Sequence, residues 1–84
     1  MTEAETRALV AELLGAIAPE AELASVADDA DLRETLDLDS MDFMRLVAGL
    51  NERTGHPIPG TGHPIPEADY PRLFTLGGII AYFA

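Results

Sequence analysis

The chain has 84 residues, no cysteine and no lysine, and fifteen acidic side chains against five arginines, for a formal net charge of −10. That length holds one domain with a modest core, read here as residues 1–84, with no disulfide to staple it and no thiol to act as nucleophile or metal ligand. Acidity of this kind repels nucleic acid and anionic lipid and suits a basic protein surface.

The charge is unevenly placed. Residues 1–42 hold twelve acids and two arginines, whereas residues 43–84 hold three of each. No apolar run approaches the length of a membrane span. The opening MTEAETRALV is acidic where a secretory signal would be basic. These features describe a soluble, cytoplasmic protein that does not insert into membranes.

Residues 2–17 read as a first helix. Thr2 can cap it, and Glu3 and Glu5 suit the positive end of its dipole. Leu9, Val10, Leu13, Leu14 and Ile17 recur at helical spacing, and Pro19 forbids continuation past Ala18. Residues 19–39 read as a long, aspartate-rich connection, pinned to the core by Leu23, Val26, Leu32, Leu36 and Leu38.

Residues 40–53 read as the second helix. Phe43, Leu46, Val47 and Leu50 form a core face at i, i+3, i+4 and i+7. Met41, Met44 and Ala48 form a neighbouring strip, which either widens that core face or meets partners of varied shape. Residues 54–67 are a tandem duplication, TGHPIPG then TGHPIPE, whose prolines and glycines exclude a regular helix. Its histidines, His56 and His63, are too few for a zinc site in a chain without cysteine. Residues 68–73 read as one short helical turn with Pro71 near its start. Residues 75–83 read as the last helix, capped by Thr75, with Leu76, Ile79, Ile80 and Phe83 at helical spacing. Gly77 and Gly78 weaken that helix but permit close packing. The expected fold is all-α: a small four-helix bundle of three main helices and a short third one, with a long first loop.

The segment LDLDSMDFM, Leu36–Met44, concentrates the functional question. Either Asp39 or Ser40 can cap the second helix. If Asp39 is the cap, Asp42 occupies the reciprocal capping-box position and the Ser40 hydroxyl is left at the first helical position, facing outward. A phosphate ester there would sit at the positive end of the helix. Ser40 is not a hydrolase nucleophile: there is no G-x-S-x-G turn, and the histidines lie in the duplicated loop. Nor is this a calcium loop. Counted from Asp37, Asp42 falls sixth where glycine is needed and Ala48 twelfth where glutamate is needed. No catalytic residue and no dedicated metal site is expected.

Leu36-x-Leu38-Asp39-Ser40-Met41-Asp42 resembles the attachment motif of acyl carrier proteins, usually Leu-Gly-Leu-Asp-Ser-Leu followed by an acid. The resemblance extends through the acidic loop, the serine-started helix and IPEADYPRLFTLGGIIAYF. It implies a carrier that is not itself an enzyme. Ser40 would bear 4′-phosphopantetheine, delivered from coenzyme A by a phosphopantetheinyl transferase, and the arm's thiol would hold the acyl group. Asp39 would help the transferase dock. Glu34, Asp37 and Asp42 would face basic surfaces of acyl-transferring and condensing enzymes, with Met41 and Met44 as partly exposed apolar contacts. The core would be lined by Phe43, Leu46, Val47, Leu50, Ile79, Ile80 and Phe83.

The expected role is a free-standing, monomeric acyl carrier for fatty-acid, polyketide or related specialised biosynthesis. An aminoacyl or peptidyl carrier, or an unmodified acidic interaction module with the same fold, are the alternatives. Three departures from the family pattern stand out. Asp37 replaces the usual glycine. Arg45 stands where glutamate is common, and Asn51 is neutral, so the second helix is less acidic than in a typical fatty-acid carrier. The duplication adds seven residues before the short third helix.

Overall fold

A computed structural model describes residues 1–20, 22–54 and 65–84. Residues 55–64 of the duplicated segment, with His56 and His63, lie outside the described residues. The helices are α1 (Glu3–Ile17), α2 (Leu32–Thr35), α3 (Ser40–Thr54) and α4 (Leu76–Tyr82), joined by 3-10 segments at Leu23–Ser25 and Glu67–Leu73. The fold is a small all-α bundle, as the hydrophobic periodicity predicts.

α1 begins with a capping box. The Thr2 hydroxyl accepts from the Glu5 N–H at 3.1 Å, and the Glu5 carboxylate accepts from the Thr2 N–H at 2.8 Å. Two orphan donors of the first turn are thereby satisfied. The helix ends at Ala18, ahead of Pro19. Leu9, Val10 and Leu14 are buried against Phe43, Leu46, Val47 and Leu50 of α3 and Leu76 and Ile79 of α4. Truncating a fully buried member such as Leu46 or Leu50 to alanine would cost about 2–5 kcal/mol. Ile80 and Phe83 pack at the edge of this core, half-buried.

Two expectations need correction. The connection over 19–39 is not a plain loop: it contains the 3-10 turn and the four-residue α2. α2 is set by Asp31, whose carboxylate caps the Arg33 N–H at 2.8 Å. It is too short to show a hydrophobic period. The turn expected over 68–73 is a seven-residue 3-10 helix, and Pro71 lies in its second half. Proline is accommodated there because few 3-10 bonds are needed in so short a piece.

The connection is stitched to the start of α4. The Leu32 N–H donates to the Phe74 carbonyl at 2.8 Å, and the Gly77 N–H to the Asp28 carbonyl at 2.9 Å. The Arg7 guanidinium clamps the Asp28 carboxylate through two bonds, at 3.0 and 2.6 Å. Gly78 is required by packing: a Cβ there would strike the Arg72 carbonyl and the Thr75 hydroxyl, which caps the Gly78 N–H.

Candidate phosphopantetheine attachment site

The approach to α3 begins at the end of α2. Asp37 has φ of 55°, in the left-handed region. The Leu38 N–H reaches back to the Arg33 carbonyl at 2.8 Å, and the Leu36 N–H to the Leu32 carbonyl at 3.0 Å. This is a Schellman ending with Asp37 at the position glycine usually holds. Aspartate tolerates the conformation better than most side chains. Replacing the expected glycine therefore leaves the turn in place and adds a carboxylate to it. Leu38, the next residue, is buried with Leu32 and anchors the turn to the core.

Asp39 is the cap of α3. Its carboxylate accepts from the Asp42 N–H at 2.7 Å, and the Asp42 carboxylate faces the Asp39 N–H at 3.4 Å. The Phe43 N–H donates to the Asp39 carbonyl at 3.0 Å, closing the first helical turn. Ser40 thus lies at the first helical position, exposed, and no described residue forms a hydrogen bond with its hydroxyl. The Ser40 and Met41 N–H groups, in the first turn, have no intrahelical acceptor. A phosphodiester on Ser40 suits this place: the oxygen is open, and two N–H groups and the helix dipole favour an anion.

Behind the helix start, α3 is held by aromatic packing. The Phe43 ring meets Phe74 and Tyr70 edge-on, at centroid distances of 5.2 and 6.1 Å. The Arg33 guanidinium lies 3.5 Å above the Phe74 ring while bonding Asp31. That bond holds the Asp31 carboxyl below the ordinary carboxylate range. The end of the helix is also tethered. The Asn51 side-chain oxygen accepts from the Ile65 N–H at 2.9 Å, within the second copy of the duplication, where the described chain resumes. No local sequence signal marks this bond, because its partners lie 14 residues apart in the chain.

Of the remaining predicted residues, Asp37 and Asp39 lie just before α3, Met41, Asp42 and Met44 follow Ser40 on it, and Glu34 lies on α2. Glu34, Asp37 and Asp39 are exposed and take part in none of the ion pairs formed among the described residues. Asp42 is more engaged, since it also faces Arg45 at 3.4 Å. Met41 and Met44 are 64% and 45% exposed, so they do not widen the core face. With Ala48, Ser40 and Arg45 they line a shallow depression. Among the described residues no group of three or more acids or histidines is placed to hold a metal ion, and no helix is long and apolar enough to cross a membrane.

The family described as phosphopantetheine attachment site matches residues 4–61, from α1 through α3. The chain belongs to that family. Its domains carry 4′-phosphopantetheine covalently and act as carriers, not as catalysts. They interact with phosphopantetheinyl transferases and with biosynthetic enzymes. No curated protein and no solved structure matches the chain.

Proposed function

We propose that Ser40 is the attachment point and that residues 1–84 act as a single, monomeric carrier domain for acyl thioesters. The setting would be fatty-acid, polyketide or related specialised biosynthesis in the cytoplasm. The observation that carries this reading is the division of labour at α3, where Asp39 takes the cap and the adjacent Ser40 hydroxyl stays exposed. When bound, the arm supplies the thiol that this cysteine-free chain lacks. The protein's part is to hold the Ser40 oxygen at the open start of a rigid helix.

Asp39 is positioned to meet the transferase, since it is exposed beside the attachment oxygen. Glu34, Asp37 and Asp42 present negative charge around it, and Met41 and Met44 offer an apolar patch for condensing and acyl-transferring enzymes. Incubation with coenzyme A, Mg²⁺ and a broad-specificity phosphopantetheinyl transferase tests the reading by intact mass. One phosphopantetheine should be gained by the native chain and none by Ser40→Ala, with an unchanged helical circular-dichroism spectrum. Uptake by the folded alanine variant would refute the assignment.

A further inference from the structure

The apolar strip beside Ser40 has two unlike borders. An α-helix advances about 100° per residue. Ser40, Met44, Ala48, Met41 and Arg45 therefore follow one another around α3, on the side away from buried Phe43, Leu46, Val47 and Leu50. Asp37 and Asp39 lie at the Ser40 end, and Arg45 lies across the methionines from it. Arg7 and Arg53 are each clamped by a carboxylate through two bonds, at 2.6–3.0 Å. Arg33 is bonded to Asp31 and stacked on Phe74, and Arg72 lies over Tyr82. Arg45 is held more loosely: it reaches Asp42 at 3.4 Å, and its side chain is 62% exposed. An ion pair this long and this open to water leaves the guanidinium available to a partner.

We propose that Arg45 makes this face selective for a partner that sets a carboxylate against it, beside an apolar patch for Met41 and Met44 and basic groups for Asp37 and Asp39. The proposal rests on the reading of Ser40, because an enzyme that works on the arm must sit on the face next to its root. A uniformly basic surface would press a cation against Arg45, and like charges across an interface are strongly unfavourable. A carboxylate there meets a planar donor fork that it can bridge through two hydrogen bonds.

The probe is a condensing enzyme with a uniformly basic docking surface, titrated with the native chain, Arg45→Lys and Arg45→Glu at low salt. Native and lysine forms should bind alike, and the glutamate form about tenfold tighter. Added salt should shrink that advantage. Reversing to glutamate the basic residue of the probe that faces Arg45 should recover binding of the native chain. An Arg45→Glu chain that binds no tighter at low salt, or a gain that salt leaves untouched, would overturn the proposal. Intact mass of the native chain after treatment with coenzyme A and transferase separates the two failures. No uptake defeats the Ser40 reading, whereas normal uptake with no affinity change defeats the role of Arg45.

Discussion

α1 and α3 are both fifteen residues long and both begin with a reciprocal capping pair, yet they use their hydroxyls in opposite ways. At α1 the Thr2 hydroxyl is the cap and is committed to the Glu5 N–H. At α3 an aspartate does that work, so the hydroxyl of the next residue is left over. α4 follows α1, with the Thr75 hydroxyl bonded to the Gly78 N–H. The lesson is that a serine at a helix start becomes chemically available when its neighbour satisfies the first turn.

Among the helix starts, the largest expected effect is at α4. Gly78→Ala would drive a methyl group into the Arg72 carbonyl and the Thr75 cap. We expect a loss of about 2–3 kcal/mol in urea unfolding, at the upper end for overpacking. Gly15→Ala, which meets nothing within 4 Å, is the control and should stabilise α1.

The two capping pairs come next. Thr2→Ala and Asp39→Ala should each cost about 1 kcal/mol, and Asp39→Asn much less, because asparagine caps as well as aspartate. If Asp39→Ala costs nothing, Ser40 has taken over the cap and the contrast between α1 and α3 disappears. Asp37→Gly should then raise stability by roughly 0.5–1 kcal/mol by relieving a left-handed side chain. An unchanged or lower midpoint would mean that Asp37 is comfortable there.

Acid sharpens the comparison last. The Thr2 N–H holds the Glu5 carboxyl below its ordinary value of 4.5. A pKa lowered by folding stabilises the fold above the unfolded value, and the contribution is lost as pH falls through the folded value. Stability should therefore drop below about pH 4.5. Glu12, Asp28 and Asp31, lowered by hydrogen bonds from Arg53, Arg7 and Arg33, add to that fall. Glu5→Gln should flatten part of it, as followed by urea midpoints across the acid range.

Helix starts and apolar stripes were legible because both are local signals. Thr2, Pro19, Thr75 and the Leu46–Leu50 spacing each act within one or two turns of chain. The place of Ser40 was legible only as one of two capping arrangements, since Asp39 and Ser40 are equally good caps by type. The exposure of Met41 and Met44 was likewise open, because whether a neighbouring strip is covered depends on the elements packed around it. Other features lay beyond local reading. α2 is a single turn with no period. Asp37 behaves as a glycine would, because φ is set by the Leu38–Arg33 bond and the burial of Leu38. The Asn51–Ile65 tether and the Arg33–Phe74 stack join residues far apart in sequence.

The most direct test locates the arm. The chain has two serines, Ser25 and Ser40. The Ser25 hydroxyl already bonds the Glu22 carboxylate at 3.3 Å, whereas that of Ser40 is open. After loading with coenzyme A and a transferase, the chain would be digested and its peptides sequenced by tandem mass spectrometry. The account predicts phosphopantetheine on the peptide containing Ser40 and on no other. Phosphopantetheine on Ser25 or a threonine, or a folded chain that takes up none, would contradict it.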